Sequence, residues 1–145
     1  MILDWKLAAL TLIFTVSPIL SCNSAVTDDS GDNKNNAIRL SENSFKDGNV
    51  EKNGEQWFRF TAASAGTYYI HVIFGTLEYM NVRVFNTAGS PVGGEVNLRE
   101  RMSNWSFSRE LHEGVTYHIR VRPYYPSDSG TYRIGYNKTI TAPMY

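Results

Sequence analysis

Residues 115–122 alternate without a break. Val115, Tyr117, Ile119 and Val121 fall on one side, and Thr116, His118, Arg120 and Arg122 on the other. Successive side chains of a β-strand point to opposite faces, so such a run buries one row and leaves the other to water. The period of two recurs along the chain. Phe58 and Phe60 share a face within 56–61. In 67–74, Tyr68, Ile70, Val72 and Phe74 oppose Tyr69, His71 and Ile73, which are expected to face outward. Met80, Val82 and Val84 alternate with Asn81, Arg83 and Phe85, Trp105 and Phe107 with Asn104, Ser106 and Ser108, and Tyr132, Ile134 and Tyr136 with Thr131, Arg133 and Gly135. Turn residues punctuate these runs: Asp47-Gly48, Asn53-Gly54, Ala65-Gly66, Ala88-Gly89, Gly93-Gly94, Glu113-Gly114 and Ser129-Gly130. No long stretch carries a helical stripe. The pattern predicts an all-β chain, an antiparallel β-sandwich of jelly-roll-like type with about seven to nine short strands. Sixteen of the nineteen aromatic residues lie in 56–145, where they would fill the space between two sheets about 10 Å apart.

Composition narrows the function classes. The 145 residues suffice for one ordinary domain. Fourteen basic and fourteen acidic side chains cancel, so no global field draws the chain to nucleic acid. The cancellation is uneven: residues 22–55 carry four basic and seven acidic groups, residues 56–145 nine and six. One cysteine rules out an intrachain disulfide and a multi-cysteine zinc site.

That cysteine closes the N-terminal segment. A short n-region with Lys6 precedes an apolar run from Leu7 to Leu20, too short to span a bilayer as a helix and of the length of a secretory h-region. Ile19-Leu20-Ser21-Cys22 resembles the lipobox of bacterial lipoproteins. The resemblance implies a signal peptide over 1–21, removed to leave a lipidated Cys22 that carries palmitate-type chains. It also implies a chain held at a bacterial outer membrane or cell surface. Plain secretion, with cleavage near Ser24 or Ala25, is the alternative. Residues 22–36 read as a flexible tether, followed by a domain over 37–137 and a tail over 138–145. Asp28, Ser30 and Asp32 have the alternating spacing of a calcium loop, but Asn33 stands where its glycine belongs and Arg39 where its bidentate glutamate belongs. No metal or other cofactor is expected.

The ordered motifs of the domain resemble a known family. Gln56-Trp57-Phe58-Arg59-Phe60-Thr61 with Ala65-Gly66-Thr67-Tyr68-Tyr69-Ile70 is similar to the opening of the bacterial pre-peptidase C-terminal domain. Val82-Arg83-Val84-Phe85-Asn86 with Gly89, the segment from Leu111 to Val121, and Gly130-Thr131-Tyr132-Arg133-Ile134 follow in that family's order. The resemblance implies a small β-sandwich that rides on secreted enzymes as an accessory module, some members of which bind polysaccharide, collagen or calcium. The family's aspartate before the tryptophan is Gln56 here, which removes a carboxylate.

Catalysis finds little support. His71, His112 and His118 adjoin no nucleophile elbow, and no H-E-x-x-H, P-loop or dinucleotide fingerprint is present. Glu95, Glu100, Glu110 and Glu113 could pair as glycosidase carboxylates, yet the stretch E-V-N-L-R-E-R reads as solvated surface. No catalytic residue is assigned. Two features suggest a ligand. Tyr124 and Tyr125, bracketed by Pro123 and Pro126 in a hairpin loop, suit sugar stacking or a protein interface. Trp57 and Trp105 are expected to pack against neighbouring strands, with extension of this aromatic platform as the alternative. His118, Arg120 and Arg122 form a cationic row; a hairpin over 122–130 would set Arg120 opposite Arg133, with Glu110 or Glu100 to neutralise them. The expected partners are the membrane, through the lipid, and a polysaccharide or an extracellular protein, with no nucleic acid. The alternative is an envelope-structural subunit whose partner is another protein.

Overall fold

A computed structural model describes residues 30–100 and 105–142. Nine strands are described: β1 Ile38–Arg39, β2 Ser44–Val50, β3 Gln56–Thr61, β4 Gly66–Phe74, β5 Tyr79–Phe85, β6 Val96–Arg99, β7 Trp105–Leu111, β8 Thr116–Pro123 and β9 Gly130–Asn137. They form two sheets, one of five strands in the order β1-β3-β8-β5-β6 and one of four in the order β2-β9-β4-β7. All strand pairs are antiparallel except β1 with β3. The architecture is the all-β sandwich that the period of two predicts.

The apolar rows meet between the sheets. Tyr117, Ile119 and Val121 of β8, Met80, Val82 and Val84 of β5, and Tyr68, Ile70 and Val72 of β4 are all buried. Aromatic pairs bridge the two layers. Phe60 of β3 stacks on Tyr136 of β9 at 4.0 Å and 24°, and Phe58 meets the Tyr132 ring edge-on at 6.2 Å and 73°. Such pairs add about 0.5–1.5 kcal/mol each beyond the area they bury. The phenol of Tyr132 donates to Gln56 Oε1 at 2.6 Å, so the one polar atom of that ring is satisfied where the core ends.

Three strands lie where alternation gave no sign of them, and the first, β1, has only two residues. Asp47-Gly48, read as a turn, is the middle of β2: Gly48 pairs with Tyr132 and is buried against its ring. A Cβ at Gly48 would collide with that ring, so the glycine serves a close approach and not a reversal of the chain. The stretch beginning at Glu95, read as solvated surface, contains β6, whose Leu98 is fully buried in the core cluster. Val96 and Leu98 both point inward, but two apolar positions in a four-residue strand are too few to register as a period.

His71 also departs from its expected outward, solvated position. It is 1% exposed, with Nδ1 at 2.6 Å from Ser106 Oγ and Nε2 at 2.8 Å from Asn137 Oδ1. Asn137 Nδ2 in turn donates to the Thr141 carbonyl. The side chain leaves the core face of β4 as predicted, but the start of the C-terminal tail and β7 cover it. Of the tether expected over 22–36, residues 30–36 are described, and they lie against the sheet. The Trp57 amide donates to the Gly31 carbonyl, and a 3-10 turn at Lys34–Asn36 is capped by the Asn33 side chain. Cys22 and the signal segment lie outside the described residues.

Candidate functional site

The outer face of the five-stranded sheet gathers most of the residues singled out for binding, and adds others. On β5 the outward row is Tyr79, Asn81, Arg83 and Phe85, because Met80, Val82 and Val84 take the core. On β8 it is Thr116, His118, Arg120 and Arg122. Register sets Asn81 opposite Arg122, Arg83 opposite Arg120 and Phe85 opposite His118. On the other side of β8, Arg120 faces Trp57 and His118 faces Arg59. Asn97 and Arg99 extend the face across β6, opposite Asn81 and Tyr79.

Arg133 does not belong to this face. Strands β8 and β9 are consecutive but sit in different sheets, so the predicted Arg120–Arg133 pair does not form. Pro126 and Ser127 make a turn that carries the chain across the sandwich instead of folding it into a hairpin. Arg133 lies 3.2 Å from Asp47 and over the Phe45 ring on the four-stranded sheet.

Glu95 neutralises the cationic row, the part expected of Glu110 or Glu100. Its Oε1 lies 3.4 Å from Arg83 Nη1, 3.7 Å from Arg120 Nη2 and 3.6 Å from Arg122 Nη2. Its Oε2 accepts from Asn81 Nδ2 at 2.7 Å. That hydrogen bond, with the charges of Arg122, Arg83 and Arg120, holds the carboxyl below the usual glutamate range against the opposing effect of burial. The loop bearing Glu95 is fixed from beneath: Arg109 Nε donates to the Val92 carbonyl and Nη2 to the Gly94 carbonyl, both at 2.8 Å. Gly93 has φ +76°, a conformation that suits glycine.

One carboxylate therefore serves three guanidinium groups. Arg83 Nε and Arg120 Nε are buried and make no hydrogen bond. Both side chains lie near the Phe85 ring, with Cζ at 6.0 Å and 5.3 Å from its centroid. Burial, then Lys34 and Arg59, push the His118 imidazole below its ordinary value, so its charged form is disfavoured among these cations. Trp57 is nearly covered, tilted on Phe85 at 5.5 Å and donating to Glu55 at 2.6 Å, which fits its expected packing role.

At the far end of β5 the face turns aromatic. Tyr124 and Tyr125 are 46% and 49% exposed and stand edge to face at 4.9 Å. Tyr79 lies 6.1 Å from the first ring and 5.4 Å from the second, and the Arg99 guanidinium sits 4.9 Å over Tyr79. Tyr79, Asn97, Leu98, Arg99, Trp105 and the two tyrosines line a hollow of about 260 Å³. On its other side Tyr124 borders a second hollow of about 330 Å³ together with Arg122, Glu55 and the turn at Asn53-Gly54. Tyr124 is thus a ridge between two depressions, and Arg122 links it to the arginine cluster. Sequence reading found the two exposed tyrosines and the β8 cations. Tyr79, Arg83 and Arg99 escaped it because a single strand's alternation does not say which strand lies beside it.

No protein-family model matches the sequence, and comparison with curated proteins gives no match. Solved structures do resemble it. The pre-peptidase C-terminal domain of a collagenase from Bacillus anthracis superposes with a TM-score of 0.53 at 17% identity, over 68% of this chain and 91% of that one. The fold is pre-peptidase C-terminal-like. Lower scores relate it to a mitogen from Yersinia pseudotuberculosis, with a TM-score of 0.46 at 12% identity over 68% of this chain and 86% of that one. A periplasmic inhibitor of g-type lysozyme from Aeromonas hydrophila gives 0.49 at 13%, over 64% and 82%.

Proposed function

We propose that the chain is a non-catalytic binding module of a bacterial envelope, held by a lipid on Cys22, that takes a glycan on the outer face of its five-stranded sheet. The observation that carries this reading is the tyrosine ridge. Tyr124 and Tyr125 are half-exposed rings set against Tyr79, above a hollow that also presents Asn97 and Arg99. Flat aromatic surface next to hydrogen-bonding side chains suits a sugar ring, whose faces are apolar and whose edge is hydroxylated. One histidine supports a non-catalytic role: His71 is buried and spent on tying Asn137 and Ser106 together.

The test is retention on immobilised polysaccharides. Tyr124→Ala combined with Tyr125→Ala is expected to abolish retention while leaving thermal stability nearly intact, since both rings are already half in water. Unchanged retention would refute the ridge as the site. Stoichiometric capture of one protein from solubilised membranes, with no glycan retained, would favour the protein-partner alternative. The anchor has its own test: labelling with palmitate is expected to vanish in Cys22→Ala, and labelling that persists would overturn the lipid assignment.

A further inference from the structure

We infer that the Arg83–Arg120–Arg122 cluster is an anion subsite of the same face, so that the glycan taken there carries acidic groups, carboxylate or sulfate. The inference rests on the glycan reading above and adds the charge of its ligand. Like charges directly across a β-ladder are unfavourable, yet Arg83 and Arg120 are in direct register. Glu95 meets three guanidinium groups with a single charge and Glu55 adds a second carboxylate that acts on Arg120, so the cluster keeps a net positive charge. Each guanidinium carries several N–H donors while the three share one Glu95 oxygen, and a charged acceptor gives the stronger kind of hydrogen bond.

The cluster is also built to hold its shape. Arg109 grips both ends of the Val92–Gly94 segment, and Asn81 fixes the second oxygen of Glu95 while donating to Asn97. Glu95 is thus held in place among the guanidinium groups, and Arg122 is the most exposed of the three at 42%. Arg122 and Tyr124 border one hollow. From Tyr79 to Arg83 along β5 is about 14 Å at about 3.4 Å per residue, the reach of a short oligosaccharide. A chain stacked on the tyrosines would therefore lay its next residues over the arginines.

The experiment compares binding of the full chain to polygalacturonate, to a neutral polysaccharide, to a sulfated polysaccharide and to vesicles of phosphatidylglycerol, each at low and high salt. The expected result is binding to an acidic polysaccharide that weakens with salt. Arg120→Gln is expected to lower it about tenfold, as is Arg122→Gln, whose exposed position protects the fold if the first variant fails to fold. Glu95→Gln keeps an acceptor for Asn81 but removes the competing charge, and is expected to raise affinity about two- to fivefold. A merely structural role for Glu95 would lower affinity or leave it unchanged, and either result counts against the subsite. Preference for polygalacturonate or for the sulfated chain assigns the anion as carboxylate or sulfate. Equal binding of neutral and acidic chains, unaffected by the arginine variants, overturns the anion subsite and leaves the tyrosine reading standing. Binding to the vesicles alone overturns it in favour of a lipid surface. Binding to no polysaccharide overturns both readings.

Discussion

Arg83 and Arg120 stand directly opposite one another on β5 and β8, and the Glu95 carboxylate reaches both. The acid that makes this pairing tolerable comes from a loop and not from either strand. Its hydrogen bond from Asn81 and its three cationic neighbours favour the ionised form, so folding lowers its pKa from the ordinary 4.5. The folded state then binds fewer protons at Glu95 than the unfolded state does. The stabilisation is complete above about pH 5 and is lost as pH falls through the lowered folded value. Denaturant unfolding as a function of pH should show this acid-side loss in the wild type and a flatter profile in Glu95→Gln. Superimposable profiles would mean that the carboxylate does not couple to folding.

Leu98→Ala tests whether β6 belongs to the core. The side chain is fully buried and packed in the main cluster. Truncating a buried leucine costs about 3–5 kcal/mol, the lost transfer plus the cavity left behind. The loss should appear in the midpoint of chemical denaturation. It should also loosen Glu95, which immediately precedes β6 and is positioned by it. A change below about 0.5 kcal/mol, the scale of a surface substitution, would contradict the strand's place in the core.

The fold was legible because six of the nine strands carry their own alternation, strong enough that Ile119 and Val121 could be placed inward from local sequence alone. Strands β1, β2 and β6 were not: β1 has only two residues, and the other two fail for different reasons. In β2 the inward positions include Gly48, which carries no apolar side chain because Tyr132 fills its place from the neighbouring strand. In β6 the inward Val96 and Leu98 make too short a period, and the charged residues around them, Glu95, Arg99 and Glu100, read as surface. The binding face was half legible. Alternation shows that Arg120 and Arg122 share a face, but only strand order brings Arg83 and Tyr79 beside them, and strand order is a long-range property. Arg133 was assigned to that face by assuming that consecutive strands pair, and the crossing of the chain between sheets removes it.

Gly48→Ala is expected to be strongly destabilising even though its backbone needs no glycine. The added methyl group would meet the Tyr132 ring, which is buried and held by its hydrogen bond to Gln56. Overpacking of this kind costs about 1–3 kcal/mol. In the background of Tyr132→Leu the same substitution should cost much less, because the obstructing ring is gone. A double-mutant cycle by chemical denaturation measures the coupling, and additive effects would contradict the close approach.

His71→Ala should uncouple the tail from the sheet. Ser106 Oγ and Asn137 Oδ1 would each lose a partner inside the fold. Asn137 Oδ1 keeps the Thr139 amide, so the loss is that of the two hydrogen bonds, about 1 kcal/mol each. Hydrogen exchange should quicken at Asn137 and at Thr139, whose amide donates to the same Asn137 oxygen, before it changes in β5 or β8. Equal acceleration across both sheets would show instead that His71 supports the whole sandwich.

The buried tyrosines set the alkaline limit. Burial holds the Tyr132 phenol well above its ordinary 10.0, and burial, aided by Glu42 and Tyr68, raises Tyr136 to about 12. A raised folded pKa means that the native state keeps a proton the unfolded state gives up. Stability is therefore complete below pH 10 and declines as pH climbs through the folded values. An ultraviolet titration of the phenol groups checks this. The Tyr132 signal should appear only with loss of the fold, when its ring leaves Phe58 and Gln56. In Tyr136→Phe the hydroxyl that must ionise is absent, so stability should fall less steeply between pH 10 and 12 than in the wild type. An unchanged slope would show that Tyr136 does not couple to folding in that range.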